Sequence, residues 1–247
     1  MTKKPSLNEL MFALIRPFSF EHALDPFAVK HYSKASPARW TWTTQSRLLQ
    51  LIAEISYKLS PLPFGLGSHV TLQDRGGPLS DTAVTTGQLE LLIRALEHVK
   101  PLYGDIAEVG AYRGATTIEL AARTAKVVYA IDPFIGYGGS EEDFFRFRVR
   151  TNSLANVIHL RETSGAGNAR FKPQSLSMVF VDAVHDVSNS WYDFLIWSEK
   201  VISGGLIALH DVDDHAGVRF TARRVMANNP KYTVWGYCPN LLVLEKH

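Results

Sequence analysis

The fold of this chain is decided by residues 105–120, which read DIAEVGAYRGATTIEL. The stretch predicts an apolar strand that ends near Glu108, a turn that contains glycine, and a helix that begins near Ala115. Gly110 and Gly114 allow the chain to turn sharply and a ligand to approach the backbone. A strand that leads through a tight turn into a helix is typical of a nucleotide-binding corner, where backbone N–H groups and the helix dipole converge.

A second apolar run follows at residues 127–131 and ends in Asp132-Pro133. An acidic residue at this point, roughly twenty residues past the glycines, is placed to accept hydrogen bonds from two ribose hydroxyls. Each feature also has an ordinary explanation, because Asp before Pro is a turn signal and Tyr112 stands where the dinucleotide fingerprint has its second glycine. Since both features occur on consecutive strands, together they favour a cofactor that contains adenosine.

The two motifs, E-V-G-A-Y-R-G from Glu108 and A-I-D-P-F around Asp132, resemble those of class I S-adenosylmethionine-dependent methyltransferases. The chain is most similar to the branch whose first motif is E-x-G-x-x-x-G. This branch includes small-molecule O-methyltransferases related to catechol O-methyltransferase, macrolide-sugar methyltransferases and cephalosporin hydroxylase-like proteins. The resemblance covers roughly Thr85 to the C-terminus. It implies S-adenosylmethionine as the cofactor, with its ribose on Asp132, and cofactor-binding positions at Glu108, Gly110, Tyr112, Gly114, Asp132, Pro133, Ser164 and Asp182.

The composition indicates a globular protein with a full core. Of its 247 residues, 46% are hydrophobic and 20% charged, which suits one α/β domain with an appended piece. The net charge of +2 gives no case for a nucleic-acid partner. The single cysteine, Cys238, excludes an internal disulfide framework, so we expect a cytoplasmic protein. No run of eighteen apolar residues exists, so no membrane partner is expected.

Apolar runs alternate with helical patterns through the rest of the chain, which predicts strands joined by helical crossovers. The last two apolar runs are separated only by Cys238-Pro239-Asn240, too short for a crossover, so one of them must run antiparallel. We therefore predict an α/β, Rossmann-like fold with a seven-stranded, mostly parallel sheet and an antiparallel strand near the C-terminus. Strands are predicted at 106–109, 127–131, 157–160, 177–182, 206–210, 232–237 and 241–245, and helices at 115–124, 141–152, 167–172, 189–202 and 216–228.

The chain divides at a capping box formed by Thr85 and Gln88, which opens a helix that ends before Pro101. Residues 85–247 are the predicted S-adenosylmethionine-binding domain, and residues 1–84 a predicted helical and irregular cap. The cap carries many aromatic residues, which are costly to leave in water. We therefore expect it to wall the acceptor site or to mediate a homodimer. Its predicted helices span residues 6–16 and 46–59.

Ionisable residues end two neighbouring apolar strands, and in open α/β sheets ligands bind at these carboxyl ends. Asp182 and His185 follow one strand, and His210 and Asp211 follow the next. Each has an ordinary explanation, because an aspartate can cap the following helix and a lone histidine is often a satisfied hydrogen-bonding group. The four together favour a site, whereas Asp213–His215 are expected to lie in a solvated loop.

The resemblance implies roles for these residues. Metal-dependent relatives hold a divalent ion with an acid ending the fourth strand and two adjacent residues ending the fifth, positions occupied here by Asp182, His210 and Asp211. In relatives similar to catechol O-methyltransferase, a basic residue three positions after the first ligand is the general base, and His185 has that offset. The implied catalytic residues are His185, Asp182 and His210.

His210 departs from the family pattern, because relatives usually have a carboxylate at this position. An imidazole ligand weakens the case for Mg²⁺, which prefers oxygen, and admits Mn²⁺ or a later transition metal. It also leaves open a reaction without metal, in which His185 or His210 is itself the base.

The resulting prediction is an S-adenosylmethionine-dependent methyltransferase that acts on a hydroxyl of a small molecule, of the sugar, polyketide or phenolic class. Two alternatives stay open: a dinucleotide-binding oxidoreductase and a non-catalytic protein that binds S-adenosylmethionine. Asp132 fits the first alternative, but Tyr112 in place of a close glycine does not. The cluster of ionisable strand ends argues against the second.

Overall fold

A computed structural model gives the structure of this protein over residues 25, 26, 29, 36–59, 68–74, 76–135, 139–228 and 230–247. The helix predicted over residues 6–16 lies outside these described residues, and so does most of the aromatic segment that precedes Pro37. Within the described part of the chain, no helix has the length and apolar character needed to cross a bilayer.

Helices and strands alternate along the chain. The helices are α1 (Pro37–Leu59), α2 (Thr86–Val99), α3 (Ala115–Ala121), α4 (Glu141–Thr151), α5 (Ser164–Asn168), α6 (Val187–Lys200) and α7 (Ala216–Asn228). The strands are β1 (Val70–Thr71), β2 (Asp105–Val109), β3 (Val128–Ile131), β4 (Val157–Leu160), β5 (Leu176–Val181), β6 (Val201–His210), β7 (Tyr232–Cys238) and β8 (Leu241–Lys246).

The strands form one sheet in the order β1-β7-β8-β6-β5-β2-β3-β4. Strand β8 runs antiparallel to both of its neighbours, β6 and β7, and the other neighbouring pairs are parallel. The predicted α/β fold, with a mostly parallel sheet and an antiparallel strand near the C-terminus, is therefore confirmed.

The predicted number of seven strands is wrong by one, because β1 adds a short strand at the edge of an eight-stranded sheet. Val70 pairs with Gly236 and Thr71 with Tyr237 of β7. The Leu72 N–H extends this pairing with a 2.9 Å hydrogen bond to the Tyr237 carbonyl. Two residues are too few to produce an alternating pattern in the sequence, and they pair because β7 offers backbone groups along its edge. This part of the predicted cap thus extends the sheet of the second domain.

The central strands are buried on both faces, as near-continuous apolar runs require. All six residues of β5 are buried, and successive side chains point to opposite faces of the sheet. Val179 and Val181 belong to the core that contains Trp197 of α6, and Phe180 belongs to the core that contains Leu92 of α2. Because helices cover both faces, the carboxyl ends of the strands are left as the place for a ligand.

Helix α1 begins at Pro37, earlier than the predicted residue 46, because proline fits the first turn of a helix. The described part of the aromatic stretch is therefore helical. Leu49 and Ala53 pack against Val187 of α6 and Phe220 of α7. This helix of the predicted cap is docked on the second domain.

Capping side chains set two further helix starts. The capping box of α2 is confirmed, since Thr85 accepts from the Gln88 N–H and the Gln88 side chain accepts from the Thr85 N–H. The short helix α5, predicted at residues 167–172, begins instead at Ser164. Thr163 caps it by accepting a 3.4 Å hydrogen bond from the Ala166 N–H, which places the start three positions earlier.

Candidate active site

A cavity of about 910 Å³ opens at the carboxyl ends of β2, β3, β5 and β6. This is the edge at which ligands bind in open α/β sheets, and the volume lies at the upper end of that usual for small-molecule sites. The predicted residues Gly114 and His210 are not among the described residues that line the cavity. Those that do line it are Glu108, Gly110, Tyr112, Asp132, Pro133, Ser164, Asp182, His185 and Asp211.

Gly110 lies where strand β2 and the end of β5 come closest. Its φ is +94°, and a Cβ placed on it would lie 1.8 Å from the Asp182 carbonyl oxygen. Its N–H donates a 2.9 Å hydrogen bond to the Ile131 carbonyl. Gly114 has φ of +74°, and a Cβ placed on it would lie 2.9 Å from the Phe147 ring. Both glycines are therefore required by backbone conformation and close packing.

The turns at residues 110–114 and 132–134, which follow β2 and β3, form the predicted cofactor corner, and backbone groups from both turns hold Asp132. Its Oδ2 accepts a 2.9 Å hydrogen bond from the Tyr112 N–H, and its Oδ1 accepts one of 2.7 Å from the Phe134 N–H. Burial raises the pKa of Asp132, and these backbone hydrogen bonds oppose that rise. Each carboxylate oxygen keeps a further lone pair with which it can accept a ligand hydroxyl. The two backbone hydrogen bonds thus hold the carboxylate in one orientation.

Glu108 lies near the carboxyl end of β2 and is almost fully buried, with 1% of its surface exposed. Burial raises its pKa to about 8, although a hydrogen bond from the Thr117 hydroxyl opposes this. The raised pKa favours the protonated carboxyl, which can donate as well as accept a hydrogen bond. Reasoning from the sequence missed Thr117, because only its place in the first turn of α3 distinguishes it.

Ser164 is the first residue of α5 and lines the cavity. It belongs to a chain of side-chain hydrogen bonds that leads to the buried residues Asp193 and Trp197. Its hydroxyl donates to Asp193 Oδ1 at 2.5 Å and accepts from the Trp197 indole N–H at 2.8 Å. Burial raises the pKa of Asp193 to about 7. Asp193 and its neighbour Tyr192 line the cavity from the middle of α6. The sequence offers one signal for Asp193: it stands four residues before Trp197, which places both side chains on the same face of a helix.

The ionisable strand ends come together as the sequence predicts. His185 Nε2 lies 2.8 Å from Asp211 Oδ2 and 3.8 Å from Asp182 Oδ1. His210 Nδ1 lies 3.3 Å from Asp182 Oδ1 and 3.3 Å from Asp211 Oδ1. Two carboxylates and two imidazoles therefore form one compact cluster, with Asp182, His185 and Asp211 at the cavity wall and His210 behind them.

The four groups shift one another's pKa. Burial alone would lower the pKa of both histidines, but the facing carboxylates raise that of His185 to about 9 and that of His210 to about 10. Burial alone would raise the pKa of Asp182 and Asp211, but the histidines hold both below their usual range. The two imidazoles and the two carboxylates thus favour one another's charged forms.

The donor set of this cluster fits a divalent ion. Oxygen and nitrogen atoms of Asp182, His210 and Asp211 lie within 4.8 Å of one another. The buried His210 Nδ1 makes no hydrogen bond of good direction within the described chain, although two carboxylate oxygens are near it. A ligating nitrogen that faces carboxylates without a hydrogen bond is suited to a metal.

His215, predicted to lie in a solvated loop, is exposed. Its ring nevertheless stacks on that of His185, with the centroids 4.2 Å apart. With Asp211, these two histidines form a second group whose ligating atoms lie within 4.8 Å of one another. No pattern in the sequence joins His215 to the cluster.

Part of the cavity wall comes from residues that precede the capping box. Asp81 lines the cavity beside Arg113. Its carboxylate pairs with Arg113 at 2.8 Å and with Arg150 at 2.8 Å, while Arg113 also pairs with Asp143 at 2.7 Å. The segment from Pro78 to Ala83 is thus anchored over the cofactor corner.

Residues 107–212 match the family model described as a methyltransferase domain. The matched segment runs from Ala107 to beyond Asp211, so it includes both the cofactor corner and the ionisable cluster. This part of the chain is therefore similar to methyltransferase domains, as the two sequence motifs indicate. This match does not favour a dinucleotide-binding oxidoreductase.

Solved structures with this fold include O-methyltransferases. A candidate caffeoyl-CoA O-methyltransferase from Staphylococcus aureus is 14% identical, with a TM-score of 0.54, and the match covers 98% of this chain and 100% of that one. The O-methyltransferase NovP is 16% identical, with a TM-score of 0.54 and coverage of 68% and 83%. An O-methyltransferase from Bacillus cereus in complex with SAH is 18% identical, with a TM-score of 0.51 and coverage of 68% and 84%. At these identities the likeness establishes the fold alone. No curated protein sequence matches the chain.

Proposed function

We propose that this protein transfers a methyl group from S-adenosylmethionine to a hydroxyl of a small molecule. One observation carries the proposal: a single cavity is lined by Asp132 and Gly110 at one end and by Asp182, His185 and Asp211 at the other. A cofactor held at the first end would present its reacting atoms toward the second. The volume of about 910 Å³ leaves room for an acceptor of modest size beside the cofactor.

The cofactor assignment rests on the corner between β2 and β3. Asp132 is oriented by two backbone N–H groups, which suits it to accept from ribose hydroxyls. Glu108 and Gly110 would face the methionine part, and Ser164 would edge the adenine. The Bacillus cereus neighbour is described as a complex with SAH, the product that methyl transfer leaves from this cofactor.

The chemistry requires alignment and removal of one proton. The acceptor oxygen forms a bond to the methyl carbon while the carbon–sulfur bond breaks, and the sulfur keeps the electron pair. Charge is dispersed in this step, so the protein contributes mainly by orienting the reactants. The hydroxyl proton must leave, and the His185 imidazole at the cavity wall is in a position to accept it. Only the neutral imidazole can do so, and because the facing carboxylates raise the pKa of His185 to about 9, this form becomes more populated as the pH rises toward that value.

A divalent ion, if bound, would be held by Asp182, His210 and Asp211. Bound there, it would acidify an acceptor hydroxyl, which is the chemistry that such an ion supplies. The mixed oxygen and nitrogen donor set favours Mn²⁺ over Mg²⁺. The sugar, polyketide and phenolic classes of acceptor all offer a hydroxyl that could take this position.

The segment before the capping box supports the proposed role of the cap as a wall of the acceptor site. Asp25, Pro26, Pro78 and Asp81 all line the cavity. A homodimer and a cytoplasmic location stay predictions from the sequence, as does the absence of nucleic-acid and membrane partners.

The first experiment is calorimetric titration of the protein with SAH and, separately, with NAD. We expect SAH to bind and NAD to give no heat. Methyl transfer from labelled S-adenosylmethionine is then measured with a panel of sugar, polyketide and phenolic hydroxyl compounds. Binding of NAD instead of SAH, or binding of SAH without turnover on any acceptor, would contradict the proposal.

The second experiment separates the two versions of proton removal. Methyl transfer is measured after dialysis against EDTA and again after addition of Mg²⁺ or Mn²⁺. If an ion takes part, activity is lost with EDTA and restored by the metal. If His185 acts without an ion, activity is the same throughout.

A further inference from the structure

The hairpin between β7 and β8 lies directly behind the ionisable cluster. Its turn consists of Pro239 and Asn240, because Cys238 pairs with Leu241. Asn240 has φ of +68°, and asparagine after proline is suited to a turn of this kind. The sequence of this stretch indicates only that one of the two flanking strands runs antiparallel.

Gln88 connects this hairpin to His210. Its side-chain oxygen accepts a 2.9 Å hydrogen bond from the Thr85 N–H, and its amide nitrogen donates one of 2.8 Å to the Pro239 carbonyl. The Thr85 N–H can only donate a hydrogen bond, and the Pro239 carbonyl can only accept one. The orientation of the Gln88 amide is therefore fixed by the backbone.

The fixed amide decides which nitrogen of His210 carries a proton. His210 Nε2 lies 2.9 Å from Gln88 Oε1, an oxygen that can only accept. Nε2 must therefore be the donor, whether the ring is neutral or charged. Nδ1 is therefore the nitrogen that faces Asp182 and Asp211, in the neutral ring and in the charged ring alike.

Asn240 holds the neighbouring carboxylate by the same logic. Its side-chain oxygen accepts from the backbone N–H groups of Asp213 and Asp214, at 3.0 and 3.1 Å. Its amide nitrogen must then point the other way, and it donates a 2.7 Å hydrogen bond to Asp211 Oδ1. Asp211 itself has φ of +62°, a conformation unusual for a residue other than glycine, and this hydrogen bond helps to keep it there.

We propose that Gln88 and Asn240 are positioning residues: with the β7–β8 hairpin they fix His210 Nδ1 toward Asp182 and Asp211, and the Asp211 carboxylate toward His185 and His210. This inference rests on the proposed function for its effect on methyl transfer, but the orientation of His210 can be measured independently. Partners behind a functional histidine or carboxylate set its tautomer and direction, and their loss typically costs about ten- to a hundredfold in activity.

The first test compares Gln88→Met with Thr85→Val. Both variants break the capping box, but only the first removes the acceptor of the His210 Nε2–H. Thr85→Val leaves the Gln88 side chain in place, because its hydroxyl accepts only the Gln88 N–H, at 3.3 Å. The observable is the exchange-protected imidazole N–H resonance of His210 in histidine-labelled protein, assigned by its absence in His210→Asn.

We expect this resonance to be lost in Gln88→Met and kept in Thr85→Val. In parallel, kcat should fall about ten- to a hundredfold only in Gln88→Met, with KM for S-adenosylmethionine unchanged. If the resonance is unchanged in Gln88→Met, or is lost equally in both variants, Gln88 is only a helix cap. Should Gln88→Met fail to fold, Gln88→Glu serves instead: it keeps an acceptor for both N–H groups, and loss of the resonance in it would contradict the inference.

The second test is Asn240→Gly. Glycine adopts the positive φ of this turn at no steric cost, so a residue needed only for the turn would tolerate the change. We expect the melting temperature to stay close to that of the wild type and kcat to fall about ten- to a hundredfold. Unchanged kcat would overturn the role of Asn240. Absence of methyl transfer in the wild type would contradict the proposed function, while the His210 resonance would still decide the role of Gln88.

Discussion

At one end of the cavity Asp132 is held by two backbone N–H groups, those of Tyr112 and Phe134, which are 20 and 2 residues away in the chain. At the other end, Asp182, His185, His210 and Asp211 hold one another through charged side chains, and Gln88 supports them across a sequence separation of 122 residues. The cofactor corner is thus built from backbone, and the ionisable cluster from side chains brought together by packing.

Because of this difference, the two ends of the cavity should respond differently to substitution. A backbone N–H is present whatever the side chain, so the corner depends on few residue identities beyond the glycines and Asp132. The cluster depends on the balance of two carboxylates and two imidazoles, and removal of one member leaves a buried charge without its partner. We therefore expect substitutions at the two ends to affect different measurements.

The largest effect is expected at Gly110, where the two ends touch. In Gly110→Ala the new methyl group would lie 1.8 Å from the Asp182 carbonyl oxygen, at φ of +94°. We expect the free energy of unfolding, measured by urea denaturation, to fall by about 4 kcal/mol or more. The control is Gly77→Ala, whose new methyl group meets nothing within 4 Å. Equal stability of the two variants would contradict the close approach of β2 to the end of β5.

Removal of the imidazole at the cavity wall should affect turnover and spare cofactor binding. In His185→Ala we expect kcat to fall about 100- to 1,000-fold, the usual contribution of a general base. The Kd for SAH, measured by calorimetry, should stay within about twofold of the wild type, since His185 is not part of the corner that holds Asp132. His215→Ala is the matched control, because its exposed ring stacks on His185 and does not line the cavity among the described residues. A kcat that His185→Ala leaves intact would exclude this residue as the base.

Removal of the Asp132 carboxylate, which we propose binds the ribose, should affect cofactor binding. In Asp132→Ala we expect affinity for SAH to weaken by on the order of 2–4 kcal/mol, because two hydrogen bonds to a carboxylate are lost. The control is Asp105→Ala at the other end of β2, where the carboxylate also accepts a backbone N–H, from Val127 at 3.1 Å. If the two variants bind SAH equally well, the cofactor assignment at Asp132 is wrong.

The smallest effect is expected for Thr85→Val, which removes half of the capping box at the start of α2. We expect the free energy of unfolding to fall by about 1 kcal/mol, the usual cost of a lost N-cap. Affinity for SAH should not change, because Thr85 is not among the described residues that line the cavity. A large loss of SAH affinity would mean that the capping box supports the cofactor corner as well as the helix.

One strand of the sheet and one residue of the cavity wall could not be predicted from the sequence. β2 and β3 were predictable because each is an apolar run followed by a glycine or aspartate turn, and their signals lie within a few residues. β1 was not, because two residues carry no periodicity and its partner strand lies far along the chain. Asp193 was missed for a similar reason, because its spacing from Trp197 indicates a buried helix face but not that this face lines the cavity.

The fold class, the cofactor corner and the residue types at the strand ends could all be read from the amino-acid order. They depend on local periodicity, on turn chemistry and on the rule that parallel strands end at one edge of the sheet. Which atoms face one another depends instead on how the sheet and its helices pack. Packing placed His210 behind the cavity wall, stacked His215 on His185, and brought Gln88 and Asn240 behind the cluster. These contacts join residues on different elements, from 29 to 122 positions apart in the chain, and a linear pattern carries no information about distances of that kind.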